Sequence, residues 1–192
     1  MTKIGIIIGS TRPGRLGPQI AGWVHDAAAR RSDAEFAVID LAEFRLPLFD
    51  QAVPPAMGGT GGPEAQAWAR TVDAFDGFVF VTPEYNNQLP AALKNAIDFV
   101  CAGWADKAAG IVSYGGAGGT GSAAQLRQLC GLLGLADVPG QVSLHLATDF
   151  ADFAVFAPSR SRARALDALL DHVVAWASAL QPVRSARTAS VA

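Results

Sequence analysis

Two polar segments of the sequence each follow an apolar run and precede a helical pattern. Residues 9–15 follow the apolar residues 4–8, and residues 82–87 follow the apolar residues 78–81. In an open parallel α/β sheet, ligands bind in a crevice at the carboxyl ends of the strands, where the direction of winding reverses. We therefore expect the two segments to lie side by side and to form one binding site.

The first segment contains the residue types that bind a phosphate group. Its hydroxyl and guanidinium groups can donate hydrogen bonds from several directions, and the N-terminus of the following helix adds free N–H groups and a positive dipole end. The candidate phosphate ligands are Ser10, Thr11, Arg12, Arg15 and Gln19. The alternative interpretation is a surface loop with solvated arginines. The segment lacks the G-x-G-x-x-G spacing of a dinucleotide site and the Gly-Lys-Ser/Thr of a P-loop.

The second segment contains residue types that can frame a planar ring. Backbone and side-chain amides can pair with the nitrogen and oxygen atoms along the edge of an isoalloxazine, and a tyrosine can lie against its face. The candidate ring ligands are Pro83, Glu84, Tyr85, Asn86 and Asn87. The alternative is an ordinary βα loop in which asparagines form turns and cap a helix. A phosphate site beside a ring site predicts flavin mononucleotide (FMN) as the ligand.

The sequence around these segments alternates between strand patterns and helix patterns. Continuous apolar runs are typical of parallel strands that are buried on both faces, and apolar stripes at helical spacing lie between them. The predicted strands are residues 4–8, 36–41, 77–81, 108–114 and 142–146, and the predicted helices are residues 18–30, 64–75, 90–101, 122–133 and 160–180. Five such βα units predict a three-layer α/β sandwich with a five-stranded parallel sheet, in a single domain over residues 1–180.

Four segments outside the strands have open interpretations. Residues 47–63 hold four prolines and a glycine cluster, so we expect a long loop that acts as a lid or reaches a neighbouring subunit. The apolar stripe of the third helix, which includes Ile97, is interpreted as core or as a subunit interface. The glycine-rich turn 115–121 is a flexible linker or a close approach to a ring. The small, polar residues 181–192 predict a flexible C-terminal tail.

The composition excludes several classes of partner. A net charge of −2 gives no basic surface for nucleic acid, and no apolar stretch approaches the length of a membrane span. Cys101 and Cys130 lie far apart and are interpreted as buried thiols in a reducing compartment. Since no signal-peptide pattern follows Met1, we expect a cytoplasmic protein. The three histidines have no metal-ligand spacing, so no metal site is expected.

Three motifs, in order and spacing over residues 3–180, resemble one known family. The chain resembles the NAD(P)H-dependent FMN reductase family of the flavodoxin-like superfamily, which includes quinone, azo and chromate reductases. The motifs are Gly9-Ser10-Thr11-Arg12, the run Thr82-Pro83-Glu84-Tyr85-Asn86 with its continuation over residues 90–98, and Ser113-Tyr114-Gly115-Gly116. The resemblance implies the flavodoxin-like strand order 2-1-3-4-5.

The resemblance also implies roles for the site residues. The phosphate end of FMN is expected to contact Ser10, Arg12 and Gln19. The second motif, residues 83–86, would frame the ring. In the third motif, Ser113 and Gly115 would lie along the other edge of the ring.

The implied activity is that of an NAD(P)H-dependent flavin oxidoreductase. NADPH or NADH would reduce FMN, which would pass electrons to a small-molecule acceptor such as a quinone, free flavin, azo dye or chromate. No side chain has to act as a nucleophile or base. The family implies a homo-oligomer, a dimer or a tetramer, with the flavin near a twofold interface.

Two other functions remain open from the sequence. A flavodoxin-type electron carrier would bind FMN without turnover of its own. Such carriers are usually strongly acidic and have a phosphate loop rich in Ser and Thr, whereas this loop has Arg12 and Arg15 and the net charge is only −2. This difference favours the enzyme. FMN could also be a diffusing substrate instead of a tightly bound cofactor.

Overall fold

The computed structural model describes the backbone of residues 1–191 and the side chains of residues 1–187. The strands of the main sheet are β1 (Thr2–Ile8), β2 (Ala34–Asp40), β3 (Gly77–Pro83), β4 (Ala108–Gly115), β5 (Ala136–Asp137) and β6 (Val142–His145). A separate hairpin consists of β7 (Phe150–Ala151) and β8 (Val155–Phe156). The helices are α1 (Gly17–Ala28), α2 (Pro63–Asp73), α3 (Ala91–Asp98), α4 (Thr120–Leu133), α5 (Arg160–Ala179) and α6 (Gln181–Val191).

The main sheet is parallel and confirms the predicted strand order. Strand β1 pairs with β2 and β3, β3 pairs with β4, and both β5 and β6 pair with β4. The fifth position of the sheet is therefore filled by two short strands instead of one. The break between them contains Pro139, which has no N–H for the ladder, and Gly140 in the left-handed region at a φ of 80°.

The core has two layers because alternate residues of each strand point to opposite faces of the sheet. Ile4, Ile6 and Ile8 pack in the layer that includes residues of α1 and α5. Ile7 packs in the other layer, beside the helices α2, α3 and α4. Helix α3 is held there by two buried indoles, since Trp68 Nε1 donates to the Ala96 oxygen at 2.6 Å and Trp104 Nε1 to the Ile97 oxygen at 3.2 Å.

The apolar stripe of α3 belongs to the core of the subunit. Leu93, Ala96, Ile97 and Val100 are all buried in one cluster with residues of β3 and β4. Of the two interpretations of this stripe, the structure supports core packing. Any subunit interface must use other residues.

The C-terminal segment differs from the predicted flexible tail. Residues Gln181–Val191 form helix α6, and its Arg184 donates to Asp76 Oδ1 at 2.8 Å and to the Asp106 oxygen at 3.0 Å. Arg187 donates to the Ala102 oxygen at 2.8 Å. These partners lie far away in the sequence, so the local composition could not indicate them. Ala192, the last residue of the predicted tail, lies outside the described residues.

The long loop 47–63 contains one short 3₁₀ turn, Pro55–Met57, and is fastened to α3. Asn95 of α3 accepts from the Phe49 N–H at 2.8 Å and donates to the Pro47 oxygen at 2.7 Å. One end of this loop is therefore fixed in place.

No helix within residues 1–191 is long and apolar enough to cross a membrane.

Candidate functional site

Three loops leave the sheet side by side at the carboxyl ends of β1, β3 and β4. Backbone hydrogen bonds continue past the strands, because Gly9 N donates to the Val81 oxygen at 2.9 Å and Glu84 N donates to the Tyr114 oxygen at 3.0 Å. The first, second and third loops are residues 9–16, 84–90 and 116–119. They form one edge of the molecule, as expected for a site at the point where the winding direction reverses.

A side-chain hydrogen bond joins the first loop to the second. The buried Ser10 Oγ lies 2.7 Å from the hydroxyl oxygen of Tyr85. The backbone N–H of Arg12 also donates to Ser10 Oγ, at 3.4 Å. Ser10 is therefore a polar group in the crevice between the two loops, and Tyr85 lies across it with about a third of its surface exposed.

A buried hydroxyl lies beside the start of α1. The Tyr114 hydroxyl is buried, and no described atom accepts its proton. It lies beside the first residue of α1, since a Cβ placed on Gly17 would be 3.3 Å from the hydroxyl oxygen. Burial raises the pKa of Tyr114, as does the neighbouring Tyr85, so the phenol stays protonated. A protonated phenol at a helix N-terminus without a side-chain cap is suited to an anion.

The remaining predicted phosphate ligands point in different directions. Arg12 and Thr11 are exposed on the first loop. Arg15 forms an ion pair with Asp40 at the end of β2, and both side chains are less than a fifth exposed. The amide of Gln19 donates to the Ala154 oxygen at 2.9 Å and accepts from the Phe156 N–H at 2.9 Å, so it holds the β7–β8 hairpin.

The second loop is fastened to the start of α4 by Glu84. Its Oε2 accepts from the Gly121 N–H at 2.6 Å and from the Ser122 N–H at 3.4 Å. A negative charge at a helix N-terminus is favourable, so this carboxylate stabilises the junction. Thr82 supports the same junction from the sheet through a hydroxyl contact of 2.8 Å with Ser122.

Asn86 and Asn87 occupy the tip of a tight turn in the second loop. Tyr85 and Gln88 exchange backbone hydrogen bonds of 3.0 and 3.1 Å, and the two asparagines have φ values of 53° and 61°. Asparagine tolerates this left-handed conformation, which explains the residue types at both positions. Their side chains are exposed, whereas Pro83 before the turn is buried. Pairing of these residues with a ring stays a prediction.

The third loop presents bare backbone to the same edge. Ser113 Oγ donates to the Gly118 oxygen at 2.7 Å and so fixes the turn from inside. Gly119 has a φ of 71°, and a Cβ there would lie 2.6 Å from the Tyr114 nitrogen. At Gly116, in contrast, a Cβ would meet nothing within 4 Å. The turn therefore leaves open space beside Gly116, where a flat ligand can approach the backbone.

The residues of this edge fit FMN. The phosphate of FMN would be an acceptor for the unpaired Tyr114 proton, for Ser10 and for the exposed Arg12, at the start of α1. The ring would find open space at the glycine turn and an aromatic side chain in Tyr85. Arg15, Gln19 and Glu84 have other partners in the structure, so their role as ligands stays a prediction. A parallel α/β sheet with this site defines the class of flavodoxin-like, FMN-binding proteins.

Comparison with known proteins gives the family. The model of the family described as NADPH-dependent FMN reductase matches residues 2–149, and the chain belongs to this family. An NAD(P)H-dependent FMN reductase of Schizosaccharomyces pombe is 40% identical over 149 residues, which are 77% of this chain and 74% of that protein. An NAD(P)H:quinone oxidoreductase of Solanum tuberosum is 43% identical over 77 residues, 38% of this chain and 40% of that one.

A solved structure shares the fold. It is FerB, a flavoenzyme NAD(P)H:(acceptor) oxidoreductase from Paracoccus denitrificans, with a TM-score of 0.71 and 20% identity. The match covers 93% of this chain and 98% of that chain. The likeness therefore extends beyond residue 149, where the family match ends.

One feature of this edge had no signal in the sequence. A cleft of about 350 Å³ adjoins the first loop at Thr11 and is lined by Arg45 and by residues of α3. Arg45 was not among the predicted site residues, because it follows β2 in a segment without any motif. Only the fold brings it to the same edge as the first loop.

Proposed function

We propose that this protein is an NAD(P)H-dependent flavin oxidoreductase that uses FMN and reduces a quinone. The observation that carries the proposal is the buried Tyr114 hydroxyl, whose proton has no acceptor among the described residues at the start of α1, in a chain of the NADPH-dependent FMN reductase family. A quinone acceptor is supported by the quinone oxidoreductases among the relatives.

The chain's own residues would bind and orient the phosphate end. Tyr114 and Ser10 donate from inside the crevice, Arg12 supplies positive charge from the solvent side, and the dipole of α1 favours the anion. Tyr85 must exchange its contact with Ser10 if the hydroxyl of Ser10 turns to the phosphate. The ring would then lie between Tyr85 and the turn at Gly116.

Bound FMN would supply the redox chemistry, by accepting a hydride from NAD(P)H and passing electrons to the acceptor. The protein's part is to position the reactants. Glu84 holds the second loop on α4, and Ser113 holds the third loop, so hydrogen bonds fasten both walls of the ring site. No described side chain at this edge has to act as a base or nucleophile.

We propose further that the protein is a homodimer of the cytoplasm. Met57 of the long loop and Leu132 of α4 are each at least 80% exposed. Phe49, residues 54–56 and Leu133 line one groove, so the loop and the end of α4 face the same side. A second copy of the chain would cover this apolar surface. Cys101 and Cys130 are free thiols, which is consistent with a reducing compartment.

The experiment is steady-state oxidation of NADPH by the purified protein, with and without added FMN and a benzoquinone. The proposal predicts turnover that requires FMN and is increased by the quinone. A protein that binds FMN but leaves NADPH and NADH unoxidised would be an electron carrier instead. A protein with no affinity for FMN would contradict both functions.

A further inference from the structure

The cleft beside the first loop has apolar walls and one charged group. It lies between the first loop, the residues after β2 and the start of α3, and its volume is about 350 Å³. Leu46, Leu48 and Ala92 contribute apolar surface, and Thr11, Arg45 and Asn95 contribute polar atoms. Volumes of this size are at the lower end of the range for ligand sites. The cleft can therefore hold one end of a dinucleotide but not the whole molecule.

Asn95 fixes the wall of the cleft. Both of its side-chain polar atoms bond to the long loop, through the Phe49 N–H and the Pro47 oxygen. Residues 46–48, which form one wall of the cleft, are therefore held in place by α3. Among the side chains that line the cleft, those of Thr11 and Arg45 form no hydrogen bond with the described residues.

Arg45 is a cation without a counterion. It is the charged residue among those lining the cleft, and within residues 1–187 its guanidinium forms neither an ion pair nor a hydrogen bond. Its backbone has a φ of 48°, a conformation that is strained for a long side chain. The two other arginines of this edge have other roles, because Arg15 is paired with Asp40 and Arg12 lies in the phosphate loop.

We propose that this cleft binds the adenosine end of NADPH and that Arg45 contacts the 2′-phosphate. The inference rests on the proposed function, since it adds the reductant to the same edge that binds FMN. Adenine is flat and suits apolar walls, and a guanidinium fork matches the oxygens of a phosphate. NADH has a hydroxyl where NADPH has this phosphate. Arg45 is therefore a specificity-determining residue that makes the enzyme prefer NADPH.

The test combines kinetics with direct binding of fragments. The Arg45→Gln variant removes the charge and keeps the length, Arg45→Lys restores the charge, and Arg164→Gln is a matched control because Arg164 is exposed on α5. KM and kcat are measured for NADPH and NADH, and calorimetry gives the affinities for 2′,5′-ADP and 5′-AMP. These fragments carry the adenosine end with and without the 2′-phosphate.

The expected result is a change confined to ligands with the 2′-phosphate. Arg45→Gln should raise KM for NADPH about tenfold and lower the affinity for 2′,5′-ADP about tenfold. Each change corresponds to the loss of one charge-assisted hydrogen bond. KM for NADH, the affinity for 5′-AMP, the affinity for FMN and kcat should stay unchanged. Arg45→Lys should recover part of the loss, and Arg164→Gln should behave as wild type.

Three results would overturn the inference. They are a wild type that uses NADH and NADPH equally well, an equal effect of Arg45→Gln on both coenzymes, and no effect on either. An equal effect would show that Arg45 does not contact the 2′-phosphate. If the wild type oxidised neither coenzyme, the proposed function would fail, and the calorimetry with 2′,5′-ADP would still decide whether the cleft binds this phosphate.

Discussion

The Tyr114 hydroxyl is the residue-scale feature that most clearly points to a ligand. A buried donor without an acceptor costs about 1–3 kcal/mol, and a bound phosphate would remove that cost. We expect Tyr114→Phe to stabilise the FMN-free protein by up to about 1 kcal/mol and to lower its affinity for FMN about tenfold. Urea unfolding and spectral titration check the two effects. Riboflavin, which has no phosphate, is the control ligand and should bind both proteins equally.

The same two measurements can also contradict a role of the Tyr114 hydroxyl in phosphate binding. If Tyr114→Phe destabilised the FMN-free protein and left FMN affinity unchanged, the hydroxyl would have a structural partner. The role in phosphate binding would then be wrong.

Arg12 and Arg15 lie in the same loop but have different environments. Arg12 is exposed and can contact a bound anion. Arg12→Ala should therefore weaken FMN binding by about 1–2 kcal/mol, a low value because solvent screens the charge. Arg15 is paired with Asp40, so Arg15→Ala should lower the free energy of unfolding by about 1–2 kcal/mol and change FMN affinity little. The reverse pattern would contradict this assignment.

The sequence predicted where the polar residues of the site would gather but not what each one contacts. Ser10, Arg12, Tyr85 and the 113–116 turn could be placed because each follows a strand that was recognisable. The contacts of Gln19 and Arg15 depend on Ala154 and Asp40, which no local pattern connects to the first loop.

At the scale of elements, Glu84 joins the second loop to α4. Glu84→Ala removes the acceptor for the Gly121 N–H and should lower the free energy of unfolding by about 1–3 kcal/mol. Glu84→Gln keeps an acceptor without the charge and should lose less, about 0.5–1 kcal/mol. Glu64→Gln is the matched control, because Glu64 is an exposed acidic residue in the first turn of α2. Thermal unfolding of the three variants checks the order, and an Ala variant as stable as the control would contradict it.

The strands and helices were largely predictable because the strands are continuous apolar runs and the helices have apolar stripes at helical spacing. Predicted bounds for β1, β4 and α4 differ from the observed ones by a few residues at most. The split of the fifth strand was missed because β5 has only two residues and no apolar run. Helix α6 was missed because its composition is polar and its order comes from distant partners such as Asp76.

On the scale of the whole molecule, the opposite edge of the sheet contains a buried amine. Lys107, the residue before β4, is 4% exposed and donates to the Val72 oxygen at 2.7 Å. Burial lowers the pKa of Lys107 to about 8 from its ordinary value of 10.5. At pH values between these two pKa values, the unfolded chain binds more protons at Lys107 than the folded chain does. Lys107 therefore makes the free energy of unfolding rise with pH in this range. Below about pH 8 the amine is charged in both states and the burial penalty is complete.

We therefore predict that the free-energy difference between wild type and Lys107→Met changes by about 1 kcal/mol between pH 7 and pH 9, in favour of the wild type. Urea unfolding at several pH values measures it. Comparison with the variant is necessary because burial raises the pKa of Cys130 to about 12, and an acid with a raised pKa makes stability fall at alkaline pH. A pH-independent difference would show that Lys107 titrates normally.

The central claim is that the edge formed by Ser10, Tyr114 and Gly116 binds FMN, and spectral titration of the FMN-free protein tests it most directly. We predict a perturbed flavin spectrum that saturates at one FMN per subunit at micromolar protein, with riboflavin binding at least about tenfold more weakly because it lacks the phosphate. Absence of saturation, or equal affinity for FMN and riboflavin, would contradict the account.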